Sequence, residues 1–266
     1  MTAIRVGAVQ YLNARPLVYR LEKQTDLFSL QFDVPSRCAA QLHERAVDLG
    51  LIPTIEYLRS SEYQVVPDIS VASIGAVSSV ALFTTRPTQA IRSIAIDTSS
   101  RTAVALLRIL CAKWFEIEPK FHSMAPDLDL MLKRCDAALL IGDRALFTEH
   151  ETVADLDKVD LGEEWTAMTG LPFVWAFWVG RKNVVKVEHF EALRSARDSG
   201  TKVLDVIAAE YGPDDEDKVE IARNYLHENV RFDLTEDGCE ALKRFYSLAL
   251  DIGLVQNTGN LRFYGS

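Results

Sequence analysis

Several short loops in this chain follow an apolar, β-branched run and lead into a helical pattern. They gather the side chains best suited to chemistry: Asn13, Ser36 with Arg37, Glu56, Thr98 and Ser99 with Arg101, and Gly142-Asp143. Ser78 and Ser79 add two hydroxyls where a long apolar stretch is interrupted. Hydroxyls and backbone N–H groups at a helix start can hold an anion, because the first turn leaves its N–H groups unpaired and the dipole favours negative charge there. The same residues also make an ordinary N-cap. Arg37 stands at a helix start, against the dipole; it is either free to close over a carboxylate with two parallel hydrogen bonds or simply solvated. Asn13 either orients a ligand or caps a turn. Glu56 and Asp143 are the carboxylates nearest these turns. Each is a base if burial raises its pKa, or otherwise a helix-start acid and an N-cap.

The clearest positioning element is Ser93–Trp114, SIAIDTSSRTAVALLRILCAKW. Ser93–Ile96 reads as a buried parallel strand. Ala103, Leu106, Leu107, Leu110 and Trp114 recur at spacings of three and four and define one helix face. Ile4–Val9, Leu30–Val34, Asp48–Ile52, Lys120–Met124 and Ala137–Gly142 read as further strands. Pro16 suits a first helical turn after Asn13, and Ser36 an N-cap. Ser73–Thr84, SIGAVSSVALFT, exceeds an average strand and predicts a passage from one lobe to another. Arg86-Pro87-Thr88 looks like the exit of that passage, and Phe173–Val179 returns the chain. From Val184 onward the pattern is mainly helical, with apolar faces for packing. The expected division is 1–86 with 179–266 as lobe 1 and 87–178 as an inserted lobe 2.

The 266 residues include 48% apolar and 25% charged side chains, enough for a sizeable core. A net charge of −9 argues against nucleic acid or an anionic membrane surface as the main partner. The start has no basic segment followed by a long apolar run, and no apolar stretch reaches the length of a membrane span, so a cytoplasmic location is expected. The four cysteines are far apart and lack metal-ligand spacing, which predicts reduced, buried thiols. No G-x-G-x-x-G, P-loop, HExxH, CxxC or G-x-S-x-G pattern is present. His43, His122, His150, His189 and His227 lie off the strand-end loops, with His122 near enough in sequence to stay open as a base. What remains is an α/β chain whose strand-end loops meet at a carboxyl edge, with a ligand cleft between two lobes.

Taken in order, YLNARPL (11–17), PSRCAAQL (35–42), DLGLIPTIEY (48–57), IGAVSSVALF (74–83), DTSSRTAVALLRIL (97–110), AALLIGDRAL (137–146), DLGEEW (160–165) and TGLPFVWAFW (169–178) resemble the chorismate dehydratases of the futalosine route to menaquinone. Each motif alone is weak; the ordered set spans Val6 to Gly180. The resemblance implies a two-lobed, periplasmic-binding-protein-like (type II) α/β fold. It implies loss of water from chorismate to give 3-[(1-carboxyvinyl)oxy]benzoate, with no metal or organic cofactor. A sister family that forms 1,4-dihydroxy-6-naphthoate carries a histidine base after the strand that here reads AALLIG. Gly142-Asp143 stands there instead, which favours the dehydratase. The alternatives are that sister activity and a non-catalytic small-anion binding protein of the same fold.

On this reading Thr98, Ser99 and adjacent N–H groups, with Arg101 beside them, hold one substrate carboxylate. Arg37 or Ser78 and Ser79 hold the other, Ser36 and Gly142 line the site, and Asn13 orients the substrate or its leaving hydroxyl. The base is Glu56, Asp143 or the substrate's own enolpyruvyl carboxylate. The partner is chorismate, with neither nucleic acid nor membrane; the oligomeric state is unassigned.

Overall fold

The computed structural model describes residues 3–148, 156–212 and 214–265, so His150 lies outside the described residues. The strands are β1 Ile4–Val9, β2 Phe28–Asp33, β3 Leu49–Pro53, β4 Tyr63–Ser73, β5 Val80–Thr84, β6 Ser93–Asp97, β7 Lys120–Met124, β8 Ala137–Ile141, β9 Asp157–Asp160 and β10 Phe173–Arg181. The helices are α1 Pro35–His43, α2 Arg101–Lys113, α3 Leu128–Leu132, α4 Asp143–Leu146, α5 Leu161–Thr169, α6 Val187–Gly200, α7 Leu204–Tyr211, α8 Glu216–Asn224 and α9 Glu236–Asp251. Tighter 3₁₀ turns cover Leu12–Val18 and Thr54–Arg59, and a π-helical turn covers Tyr225–Asn229.

Two five-stranded sheets repeat one design, in the orders β2-β1-β3-β10-β4 and β7-β6-β8-β5-β9. In the first, β1 pairs parallel with β2 and β3, and β10 runs antiparallel between β3 and β4. In the second, β6 pairs parallel with β7 and β8, and β5 runs antiparallel between β8 and β9. The antiparallel strand of each sheet is the one that has just arrived from the other lobe. Central strands such as LGLIP, VALFT and AALLI are buried at every position, as continuous apolar runs covered on both faces must be. Two lobes with a cleft between them therefore follow from the strand order.

The passages between lobes differ from the sequence expectation. β5 is a strand of the second sheet, so the chain crosses at Ile74–Ser79 rather than near Arg86. Two left-handed residues, Gly75 (φ +73°) and Ser78 (φ +61°), turn the chain there, and VALFT then buries both faces. All of β10 belongs to the first sheet, so the return crossing is α5 with the turn after it, and Phe173 rather than residue 179 re-enters lobe 1. An aromatic cluster seats that return. Trp165 of α5 meets Phe173 edge-on at 5.1 Å, and Phe245 of α9 meets Phe173 in the same way at 5.1 Å.

Local details also change. Pro16 lies inside the 3₁₀ turn, and α6 ends so close to it that a Cβ on Gly200 would overlap the Pro16 backbone. Ser36 is not an N-cap: Pro35 already opens α1, and Val34 occupies the cap position without a side-chain bond. Ser100 caps α2, its Oγ accepting from the Ala103 N–H at 3.4 Å. Ala103, Leu106, Leu107 and Leu110 form its buried face, whereas Trp114 lies past the helix end, is exposed, and donates to Glu164 at 2.5 Å. Cys38, Cys111 and Cys135 are buried, Cys239 is half-buried, and all four are free thiols. Among the described residues no helix is long and apolar enough to cross a membrane.

Candidate active site

A cleft opens where the strand ends of the two sheets face each other. Lobe 1 contributes Val9, Tyr11, Asn13, Leu51 and Trp175; lobe 2 contributes Ser79, Ser100 and Gly142. None of the described lining residues carries a charge. The polar groups are the Tyr11 ring hydroxyl, the Asn13 amide, the hydroxyls of Ser79 and Ser100, and the backbone at Gly142. Ser100 brings with it the start of the thirteen-residue α2, whose first-turn N–H groups have no partner within the helix. An anion here would be met by neutral donors and a helix dipole rather than by a cation.

Each donor is held by the opposing lobe or by the C-terminal helices. Tyr11 donates to Ser99 Oγ at 3.4 Å across the cleft. Its ring presses on Gly142, where a Cβ would come within 2.7 Å of the ring carbons. Gly142 also needs its φ of +64°, and its N–H donates to Ser79 O at 2.7 Å. Ser79 Oγ and the hydroxyl of the buried Tyr225 are 2.7 Å apart. Trp175 is fixed in the wall by a bond from its Nε1 to Ser73 Oγ at 3.1 Å.

Of the residues singled out in sequence, Asn13, Ser79 and Gly142 line the cleft, and Ser99 is at its rim through Tyr11. Ser36 acts through its backbone, its N–H donating to Ser99 O at 2.8 Å to tie the lobes. Ser78 also acts through its backbone: its N–H donates to the buried Asp160 carboxylate at 2.6 Å. Thr98 is exposed and off the cleft wall. Arg37 projects into solvent, its side chain 65% exposed, with its guanidinium 3.9 Å from Asp33. The α1 helix turns it away from the cleft, so neither Thr98 nor Arg37 is placed to hold substrate.

Glu56 and Arg101 meet each other instead of a ligand. Glu56 Oε2 accepts from Arg101 at 2.6 Å, His43 Nε2 at 2.7 Å and Arg59 at 3.1 Å. His43 Nδ1 and the Tyr63 hydroxyl lie 2.6 Å apart. Burial alone would raise the Glu56 pKa, but the His43 bond and the two guanidinium groups hold it below the usual carboxylate range. Such a carboxylate is a poor base and does not line the cleft, so Glu56 is corrected from base to inter-lobe clasp. Thr102 works beside it, its hydroxyl accepting from the Ile55 N–H at 3.1 Å.

Asp143 is a second clasp. Its Oδ1 accepts from the Leu12 N–H at 3.0 Å, and its Oδ2 accepts from the Tyr211 hydroxyl, both in lobe 1. Burial pushes its pKa up to about 6, while the Leu12 bond and the Arg15 charge oppose the rise. Both oxygens are engaged outside the cleft lining, which weighs against Asp143 as the base, while its raised pKa meets the condition set for one.

Tyr11, Ser100, Trp175 and Tyr225 belong to the site but are absent from the sequence-derived set. Tyr11 and Ser100 adjoin Asn13 and Ser99 and were legible as neighbours. Trp175 was legible only as core, and Tyr225 carried no local signal because it reaches Ser79 from the distant C-terminal helices.

The two sheets, the paired crossings and the cleft at the strand ends define a periplasmic-binding-protein-like α/β fold. The alkanesulfonate-binding protein SsuA of Xanthomonas axonopodis pv. citri, solved with MOPS bound, superposes with a TM-score of 0.68 at 12% identity, over 97% of this chain and 96% of that one. The sequence matches the family profile described as menaquinone biosynthesis over residues 4–251, and the chain belongs to that family. Within it, the chain is 32% identical over 219 residues to a chorismate dehydratase of Thermus thermophilus, covering 76% of this chain and 79% of the relative. It is 26% identical over 248 residues to a chorismate dehydratase of Campylobacter jejuni, covering 90% and 94%.

Proposed function

We propose that this protein dehydrates chorismate to 3-[(1-carboxyvinyl)oxy]benzoate. The two relatives support the substrate. The observation that carries the chemistry is a cleft whose described lining offers neutral donors and no carboxylate, imidazole or amine. Chorismate brings two carboxylates and a ring hydroxyl. Its C–H bond beside the ether breaks, the electron pair moves through the ring double bonds toward the ring carboxylate, and the neighbouring C–O bond then breaks. The hydroxyl departs with the proton as water, and the ring becomes aromatic.

Charge therefore grows on the ring carboxylate in the transition state. Donors fixed there stabilise the transition state more than the ground state. Ser100, the N–H groups opening α2, and Ser99 at the rim suit that carboxylate. Asn13 from lobe 1 and Ser79 from lobe 2 suit the leaving hydroxyl. With Glu56 and Asp143 committed to clasps, the base is the substrate's enolpyruvyl carboxylate, carried to the C–H bond by the bound conformation. Positioning is then the main task of the protein. A cleft walled by Leu51, Val71, Val80 and Ile141 keeps water from competing for that carboxylate.

The test is purified protein with chorismate, following its loss and the appearance of the enolpyruvyl benzoate by chromatography. Conversion well above the spontaneous background is expected. Binding without conversion would return the protein to the anion-binding reading, and neither outcome would move it to the sister activity.

A further inference from the structure

We propose that the π-helical turn Tyr225–Asn229 is a brace for the cleft: it pins the crossing segment Ala76–Ser79 and sets the direction of the Ser79 hydroxyl. It deepens the functional reading above and rests on it for the catalytic consequence, but not for the brace itself.

The crossing segment holds a strained shape. The Ser79 N–H donates back to Val77 O at 2.7 Å around Ser78, whose φ is +61°. A three-residue turn of this hand is rare and survives only where its surroundings over-determine it. One side is fixed by Asp160, whose carboxylate takes the N–H groups of Val77 at 3.0 Å and Ser78 at 2.6 Å. The other side is fixed by the π turn. Asn229 Nδ2 donates to Ala76 O at 3.0 Å, and Tyr225 meets Ser79 Oγ at 2.7 Å. The two ends of the segment are thus held by side chains one turn apart on the same element.

The wide turn has a local reason to be there. A π turn inserts a residue into the helical path and shifts the faces that follow, a change concentrated at functional sites. Here it continues α8, which is mostly exposed, and delivers Tyr225 and Leu226 inward while His227 and Glu228 stay exposed. Tyr225 is 2% exposed, so its hydroxyl has no solvent to turn to. If Tyr225 donates to Ser79 Oγ, the Ser79 proton has to look elsewhere, and the open direction is the cleft that Ser79 lines. Burial raises the Tyr225 pKa, so its hydroxyl stays protonated and able to donate in this pair throughout the physiological pH range. Tyr225 is thus a positioning residue acting through Ser79.

The experiment has one readout without chemistry and one with it. Hydrogen–deuterium exchange is measured at the amides of residues 76–79 in wild type, Tyr225→Phe and Asn229→Ala. Exchange faster by at least about tenfold in both variants, against unchanged amides in α2, is expected. Unchanged exchange in both would overturn the brace, whatever the protein does to chorismate. Turnover is then compared for wild type, Y225F, S79A and the double variant. Y225F should lower kcat about tenfold or more with KM within about threefold, and should add nothing further in the S79A background. A wild-type kcat in Y225F, or an equal loss in both backgrounds, would overturn the route through Ser79. Should Y225F not fold, N229A carries both readouts alone with the same outcomes. Failure of wild type to consume chorismate would sink the functional reading, with the exchange result still deciding the brace.

Discussion

Replacing Asp143 by Asn tests the clasp and the active-site assignment together. The carboxyl sits at about 6 in the folded protein against an ordinary 3.8, because burial penalises its charge. Since its folded value is raised, the folded state holds the proton more tightly than the unfolded chain. Its contribution is fully present below about pH 4 and is lost as the pH rises through about 6. Above that window, ionisation of this one group costs the fold on the order of 2–3 kcal/mol. Asn keeps a carbonyl for the Leu12 N–H and cannot ionise. Its stability relative to wild type should therefore improve by roughly 2–3 kcal/mol between pH 4 and pH 8, or about 5–10 °C in Tm for a chain of this size. Urea unfolding of both proteins at the two pH values measures the difference directly. Parallel pH dependence would refute the assignment of a buried, costly charge to Asp143. Turnover supplies the second half: D143N should retain kcat within a few-fold, and a hundredfold loss would restore Asp143 as the base.

Glu56→Gln should cost roughly 2–3 kcal/mol at pH 7, discounted because Arg59 and Arg101 remain partly in solvent, with kcat little changed; because the Glu56 pKa is lowered, the deficit relative to wild type should shrink as pH falls below the ordinary carboxylate value, and urea unfolding at two pH values reads it. Gly142→Ala should cut turnover at least about tenfold, since the new Cβ meets the Tyr11 ring and the left-handed backbone adds about 1–2 kcal/mol of strain; steady-state kinetics with unaltered turnover would count against the Tyr11–Gly142 contact as a cleft wall. Ser100→Ala removes the α2 cap, worth about 1 kcal/mol, and should raise KM for chorismate more than it lowers Tm, whereas a Tm loss with intact KM would reduce Ser100 to a cap alone. Asn13→Ala should lower kcat by about tenfold or more with the fold intact by circular dichroism.

The local code was strong where one segment decides its own structure. The apolar runs of β3, β6 and β8, the capped start of α2 with its 103, 106, 107 and 110 face, and the excess length of Ser73–Thr84 were all legible, because periodicity, burial and strand length act over a few residues. The ordered motifs resembling the chorismate dehydratases came from the same linear information. Tertiary structure decided which strand-end groups face the ligand. Arg37 and Arg101 looked alike on paper, yet helix direction sends one to solvent and the other to Glu56. Glu56 and Asp143 looked like bases, yet partners brought from across the cleft make each a clasp. Tyr225 had no signal at all, because its role depends on a π turn and on the Ser79 hydroxyl it meets across a long stretch of chain. A side chain's chemistry is set by what desolvates and pairs it, and those neighbours are chosen only when the two lobes and the C-terminal helices close on one another.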